Sequence, residues 1–151
     1  MSLSTIQTPT GLTFNERKVS CSLLSGTTTI IAKNVVLIDH ASLVDADTPS
    51  VKVSLSASTG VAASGLYGVV TKDVTAAKGG IVQLGGIATV LAGAAVAIGN
   101  PVRCGAGGDC AIATTATDTA IGAAMSVAAG DGSEMKIMLV DGPACAGTDV
   151  T

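Results

Sequence analysis

From Cys21 onward, the apolar residues of this 151-residue chain come in short runs, each ended by Gly, Asp, Asn or Ser. Runs of this length fit strands better than helices. The chain has 19 Gly, one Phe, one Tyr and no Trp, so Val, Ile, Leu and Ala must fill its core. Since β-branched residues favour strands, the pattern predicts an all-β fold, a compact β-barrel or β-sandwich of short strands.

The positions of the residues that end the apolar runs also predict where the strands and the domain lie. Residues 1–20 are polar and contain a charged cluster at residues 16–18, which predicts an extended N-terminal arm. Residues 21–141 are predicted to form a single β domain, and the small, polar residues 142–151 a flexible tail. The predicted strands are residues 28–31, 35–38, 51–55, 66–71, 81–84, 87–91, 102–104, 111–114, 121–125 and 136–139.

Two parts of the chain follow one sequence plan. Residues 66–84 and residues 120–139 each contain a strand with a glycine, a turn of small residues and a return strand with alternating polarity. A similar segment precedes each of them, residues 33–37 in one case and residues 99–103 in the other. Either the domain contains an internal repeat, or a composition rich in Gly, Ala and Val produces the similarity by chance.

Charge limits the partners of the chain. Lys and Arg total 8 against 11 Asp and Glu, the net charge is −3, and only 13% of the residues are charged. Binders of single-stranded nucleic acid need a basic groove and aromatic platforms, so we expect no nucleic-acid partner. Low charge leaves little repulsion between copies, which favours a homo-oligomer or a component of a larger assembly.

One segment has the length and hydropathy of a membrane span. Residues 81–99 contain only Gln83 and Thr89 as polar residues, over a length that can cross a bilayer. Glycines divide the segment into short β-like runs and no aromatic anchors flank it, so strands are favoured and no membrane partner is expected. The N-terminus lacks the basic and apolar regions of a signal peptide, which predicts synthesis in a cytoplasm without export by the usual route.

No set of residues forms a convincing catalytic or metal site. His40 is the only histidine, and Asp39 and Ser42 are its nearest triad candidates. Adjacent strand residues point to opposite faces, so Asp39 is poorly placed to orient His40. Asp45 and Asp47 match part of a calcium loop but lack its glycine and its closing glutamate. We therefore expect a protein that is not an enzyme and uses no cofactor or metal.

The four cysteines are Cys21, Cys104, Cys110 and Cys145. None forms a C-x-x-C pair, and with one histidine no zinc pattern of ordinary spacing can be assembled. Cys104 and Cys110 lie on either side of a glycine-rich loop, whose two arms can bring the sulfurs together. The alternatives are a disulfide between these two residues and free thiols, as is usual after folding in a reducing cytoplasm.

Several short motifs follow one another over roughly residues 30–140. They are Gly68-Val69-Val70, Ala76-Ala77-Lys78-Gly79, the residues 82–88 and 95–102, Ala120-Ile121-Gly122, Gly130-Asp131-Gly132 and the residues 135–139. In this order they resemble the tailed-phage head-decoration proteins, also called capsid cement proteins. The chain departs from a typical member in its longer polar N-terminus and its four cysteines.

The resemblance implies a function outside catalysis. It implies a compact β unit, often a homotrimer, that binds the outer face of a phage capsid and stabilises the lattice of the major capsid protein. The predicted arm would then add a strand to an exposed edge of a capsid sheet. The arm residues expected to contact the capsid are Leu3, Ile6, Pro9, Leu12, Phe14 and Arg17.

Two other functions remain as alternatives. The first is a virion-surface adhesive or fibre module that binds a host receptor or glycan, although one Tyr and one Phe offer few stacking surfaces for a sugar. The second is a small enzyme or metal-binding barrel, which the single histidine disfavours.

Overall fold

A computed structural model describes residues 17–23, 29–39, 50–55, 66–114, 118 and 120–139. These residues form strands and one short 3-10 turn at Ala106–Gly108, with no α-helix among them. The prediction of an all-β fold is confirmed. The strands are β1 Lys18–Leu23, β2 Val35–Asp39, β3 Ser50–Leu55, β4 Leu66–Val70, β5 Gly80–Gln83, β6 Gly86–Leu91, β7 Pro101–Cys104, β8 Cys110–Ile112, β9 Ala120–Ala124 and β10 Glu134–Leu139.

The strands form two units of five. The first unit, β1 to β5, is a closed barrel with the order β1-β3-β2-β4-β5, in which β1 pairs in parallel with β3 and antiparallel with β5. The second unit, β6 to β10, is a sheet with the order β6-β10-β9-β7-β8. A single parallel bridge between Ala92 and Cys110 connects the two outer strands of that sheet.

The two units have the same connectivity, and their registers match apart from a shift between Val102 and Arg103 in the pairing of β7 with β9. Counting strands from the start of each unit, the second strand pairs with the third and the fourth, and the fifth pairs with the fourth and the first. Val36 lies opposite Gly68 in the first unit, and Val102 lies opposite Gly122 in the second. The similar segments found in the sequence are therefore the second, fourth and fifth strands of the two units.

Alternation along β2 and β4 gives the molecule two cores. Val36 and Val70 lie in the core of the barrel. Val35 and Val69, one position earlier on the same strands, belong to a second core together with residues of β6 to β10. Since successive strand residues point to opposite faces, these strands are covered on both sides, and the outer face of the barrel packs against the second unit. We call this shared core the seam.

The predicted strands overlap β2 to β10 closely, and two differences concern the first unit. Residues 29–31 supply only an isolated bridge, from Ile30 to Val74. Strand β1 was not predicted, because the charged residues 16–18 favoured an arm. An alternation was present there, since Val19, Cys21 and Leu23 are the apolar residues of β1 and pack in or against the barrel core.

The strand β1 also bears on the predicted domain boundaries. It begins at Lys18, so the last three residues of the predicted arm are paired in the barrel. Apart from Arg17, the remainder of the arm lies outside the described residues, as do residues 140–151 and hence the predicted tail.

The apolar segment at residues 81–99 forms most of β5, all of β6 and the loop toward β7. Within the described part of the chain, no helix is long and apolar enough to cross a membrane.

Candidate functional site

Each unit has a tip made of two facing loops. The first tip comprises residues 30–34 and 71–79, and the second tip comprises residues 96–100 and 125–133. A short antiparallel bridge holds the loops of each tip together. Its two N–H to O distances are 3.0 and 2.8 Å between Ile30 and Val74, and 3.0 and 2.9 Å between Val96 and Ala128.

A turn before the second strand of each unit completes this backbone frame. Lys33 and Gly99 occupy equivalent positions with φ of 74° and 85°, and their N–H groups donate to Val70 O and Ala124 O at 2.7 and 2.8 Å. The asparagine that follows each of them accepts the return bond through its carbonyl, at 3.0 Å in the first unit and 2.9 Å in the second. The two tips thus have one backbone structure.

Their side chains differ. In the first tip, the Asp73 carboxylate accepts a hydrogen bond from the Ala32 N–H at 2.7 Å. The equivalent positions in the second tip hold Ile98 and Val127, which are 64% and 61% exposed. Met125, which is 47% exposed, stands where the first tip has Thr71. The second tip therefore presents large apolar side chains at three positions where the first has Ala32, Thr71 and Asp73.

We define the apolar tip as Ile98, Met125 and Val127. The bridge at Val96 and the bond from Gly99 N to Ala124 O hold these residues on one pair of loops. Residues 92–100 and 125–130 contain no charged residue. Exposed apolar clusters on soluble proteins often mark contact surfaces, so the apolar tip is the candidate functional site. Sequence reasoning missed it, because nothing local distinguishes an exposed Ile or Val from a core residue in an Ala- and Gly-rich stretch.

The predicted capsid-contacting arm is described only at its root. Arg17 is exposed, directly precedes β1, and its carbonyl accepts a hydrogen bond from Leu84 N at 2.6 Å. The other predicted contact residues, Leu3, Ile6, Pro9, Leu12 and Phe14, lie outside the described residues. Their contact with a capsid stays a prediction.

Cys104 and Cys110 lie directly opposite each other on β7 and β8. Opposite residues of an antiparallel pair are separated by about 4.5–5.5 Å between Cα atoms, within the range that a disulfide spans. Both residues are buried and, like Cys21, are present in this structure as thiols rather than in a disulfide. The structure thus describes the reduced alternative, in a register compatible with the predicted bond.

Burial sets the protonation of this region. It raises the pKa of the Cys110 thiol, and the negative charges available to Cys104 and Asp109 act in the same direction. It also raises the pKa of Tyr67 to about 12, with a smaller contribution from Cys104. Tyr67 is on β4 of the first unit but packs against the second core. Both groups stay neutral near neutral pH, so the Cys110 thiol is a poor nucleophile.

The candidate catalytic and calcium residues lie almost entirely outside the described part of the chain. His40, Ser42, Asp45 and Asp47 lie outside it, and only the backbone of Asp39 is described. Among the described residues, no three His, Cys, Asp or Glu side chains are grouped as metal ligands.

Asp118 and Asp109 are acidic residues of the second unit. The Asp118 carboxylate lies 3.4 Å from Arg103 Nε and accepts a hydrogen bond from Thr114 N at 2.8 Å. The pKa of Asp109 is raised by burial and then by the negative charge of Asp131. The contact with Arg103 attaches Asp118 to β7, which is a structural role.

Among the comparisons with known proteins, the one with solved structures gives a match. No family model matches the chain, and no curated protein sequence matches it. Among solved structures, the fold is similar to that described as the crystal structure of head fiber gp8.5 N base in bacteriophage phi29, with a TM-score of 0.58. The likeness covers 83% of this chain and 94% of that chain at 15% sequence identity. At 15% identity, this likeness shows that the two chains share a fold.

Proposed function

We propose that this chain is a structural protein of a phage head that binds the outer surface of the capsid and stabilises the lattice of the major capsid protein. The observation that carries the proposal is the likeness of its fold to a phage head fiber base over 83% of the chain. The order of motifs that resembles the head-decoration proteins supports the same assignment from sequence. The protein would be made in the host cytoplasm and reside on the virion.

A capsid-stabilising protein needs a rigid surface rather than a reactive site. Two tightly paired β units with a shared core supply rigidity. Once one contact with the lattice has formed, the next is effectively intramolecular, and avidity can exceed single-site affinity by about 10²–10⁴. Shell expansion or internal pressure must then break several contacts together.

The arm would supply one of these contacts. Its root leads into β1, which is paired on one side with β3 and on the other with β5. Tension on a capsid-bound arm would therefore be carried by two ladders of a closed barrel. Ordering a free segment on binding costs about 2–5 kcal/mol, which backbone hydrogen bonds to a capsid sheet edge would have to exceed.

The direct test is co-sedimentation of the full chain with expanded and unexpanded capsids of the virus that encodes it. We expect saturable binding with a fixed number of copies per capsid, and greater resistance of the occupied shell to heat. Absence of binding to both capsid forms would reject the proposal.

A truncation tests the arm separately. Removing residues 1–16 keeps Arg17, whose carbonyl bonds to Leu84 N, and should lower capsid occupancy at least about tenfold. Removing residues 142–151 is the matched control and should leave occupancy unchanged. Equal occupancy of the intact chain and the arm-deleted chain would eliminate the arm as a contact.

The alternative is a virion-surface fibre module that binds a host receptor or glycan, and the head fiber description of the similar structure favours it. The two functions differ in the partner that the isolated chain binds. A fluorescent chain that binds host cells but not capsids would support the fibre module. Binding to capsids alone would support the stabilising function.

We further propose that the chain works as a homo-oligomer, with a trimer favoured. The low charge content, and the absence of charged residues from residues 92–100 and 125–130, support association between copies. Light scattering during size-exclusion chromatography would give the number of copies.

A further inference from the structure

The two tips provide an internal comparison of one backbone with two sets of side chains. The first tip forms its frame with Ala32, Thr71 and Asp73, and its carboxylate accepts a hydrogen bond from the Ala32 N–H. The frame therefore folds without large apolar side chains at these three positions, although the neighbouring Ile31 is exposed. The exposed Ile98, Met125 and Val127 of the second tip serve something other than the frame.

Charge indicates what kind of surface can cover the apolar tip. Every exposed residue of 92–100 and 125–130 is uncharged, and Asp131 is the one charged residue of the second tip. A charged partner surface would lose its hydration there without gaining an opposite charge, which is costly. An uncharged apolar surface would meet no such cost and would remove the exposed side chains from water.

The same tip on another copy of this chain is an uncharged, apolar surface of that kind. We propose that copies of this chain associate through the apolar tip, with Ile98, Met125 and Val127 of one copy packed against the same residues of its neighbours. This inference rests on the homo-oligomer part of the proposed function and names its contact surface. A patch that contacts its own copies closes naturally around a symmetry axis.

The size of the tip predicts how strong the association is. Stable interfaces bury about 800 Å² on each partner, and three side chains on two loops provide a smaller area. The association is therefore concentration-dependent in solution. It strengthens where a second attachment, such as a common lattice, holds neighbouring copies together.

Sedimentation velocity of the full chain over a concentration series tests the proposal. Val127→Asp and Ile98→Asp each place a charge in the tip and should raise the dissociation constant for self-association about tenfold or more, because a buried unpaired charge is costly. Ile31→Asp is the matched control: it removes an isoleucine that is 51% exposed on the first tip and should leave self-association unchanged.

A second variant distinguishes loss of self-association from loss of folding. Ile98→Ala combined with Val127→Asp gives the second tip the residues of the first at these positions, including a carboxylate placed to accept the N–H of residue 98. It should melt close to the parent and still fail to associate. A parent chain that stays monomeric at all concentrations would overturn the inference, as would tip variants that associate like the parent.

Capsid binding by the same variants separates this inference from the proposed function. A parent chain that associates through the tip but binds no capsid leaves the inference standing and rejects the proposed function. Tip variants that associate normally but lose capsid binding show that the tip contacts the capsid, which contradicts the inference. If only removal of residues 1–16 abolishes association, the arm is the contact between copies and the inference is wrong.

Discussion

The two units share their strand order, most of their register and the backbone of their tips, yet they close differently. In the first unit, β1 and β3 pair over four residues, from Ser20 opposite Ser50 to Leu23 opposite Val53. In the second, the equivalent strands meet only at Ala92 and Cys110. The two units therefore pair their strands in the same way. Closure of the barrel depends on strand length, since β8 has three residues and the equivalent β3 has six.

The units also differ in how they contribute to the seam. The first unit contributes the outer face of its barrel, through Val35, Val69 and Tyr67. The buried Asn34 adds a hydrogen bond from Nδ2 to Gly107 O at 3.1 Å. The second unit contributes the inner face of its sheet, whose side chains are mostly small. Close approach of the two units is thus made possible by small residues, and this is where the composition of the chain has its main effect.

The largest effect is expected at equivalent glycines of the fourth strand in each unit. A Cβ at Gly122 would overlap the carbonyl oxygen of Met138 and lie 3.0 Å from its carbon. Backbone of a neighbouring strand cannot move away cheaply, so Gly122→Ala should lower the free energy of unfolding by about 3 kcal/mol or more. Urea denaturation measures the change.

Two further substitutions calibrate this prediction. At Gly68, the nearest obstacle to a Cβ is a methyl group of the buried Val82, and the Gln83 carbonyl oxygen lies 3.0 Å away. Because the nearest obstacle is a side chain rather than backbone, Gly68→Ala should cost about 1–3 kcal/mol and less than Gly122→Ala. At Gly130, nothing lies within 4 Å of the added Cβ, and Gly130→Ala should be nearly neutral. A larger loss for Gly68→Ala than for Gly122→Ala would show that the first unit is the tighter one.

The sequence predicts the parts of this structure that depend on interactions between residues close together in the chain. The strands β2 to β10 are predictable because alternation and turn residues act over a few neighbours. Strand β1 was missed although Val19, Cys21 and Leu23 alternate, because adjacent charges resemble an arm. The parallel pairing of β1 with β3 has no local signal at all, since a long separation in sequence divides the two strands.

The candidate site was less predictable than the fold. The left-handed turn at Gly99 has a local signal, because glycine adopts positive φ at little cost. The exposure of Ile98 and Val127 has none, since the same residue types fill the core elsewhere. It emerges only when the second tip is compared with the first, where Asp73 occupies the position of Val127. An internal repeat thus supplies a reference that a single sequence otherwise lacks.

Alkaline pH should weaken the seam through Tyr67. Burial raises the pKa of Tyr67 to about 12, from a usual value of 10.0, and Cys104 adds a smaller contribution. Between these values the unfolded chain has lost the phenol proton while the folded chain retains it, so stability falls as pH rises. After allowance for partial exposure, the loss is about 1–2 kcal/mol.

Thermal unfolding of the parent and of Tyr67→Phe between about pH 9 and pH 12 measures this loss. The substitution should make the decline shallower by the share of Tyr67 and leave the decline due to Cys110, whose pKa is also raised by burial and which acts in the same direction. Parallel declines in the two proteins would mean that Tyr67 ionises as easily in the fold as outside it.

The left-handed residue of each tip gives a reciprocal pair of substitutions. Gly99→Ala places a Cβ in open space, so its only cost is the backbone conformation, about 1 kcal/mol. Lys33→Gly relieves the same conformation in the first unit but loosens the unfolded chain and removes the ion pair with Glu134. It should change stability by less than about 0.5 kcal/mol, as measured by urea denaturation. Similar losses for both variants would mean that the two turns are not equivalent.

The smallest effect is expected for the ion pair that joins the units. Lys33 Nζ contacts Glu134 Oε1, and these side chains are 39% and 57% exposed, so water screens the pair and Glu134→Gln should cost less than about 0.5 kcal/mol. Val69→Ala, in the seam, removes buried apolar volume and should cost about 2 kcal/mol. If the seam rather than the ion pair joins the units, molar salt will not change the difference in the free energy of unfolding between Glu134→Gln and Val69→Ala. Salt screens exposed charges and has little effect on buried methyl groups. A large loss of stability in Glu134→Gln that disappears in salt would instead show that attraction between charges joins the two units.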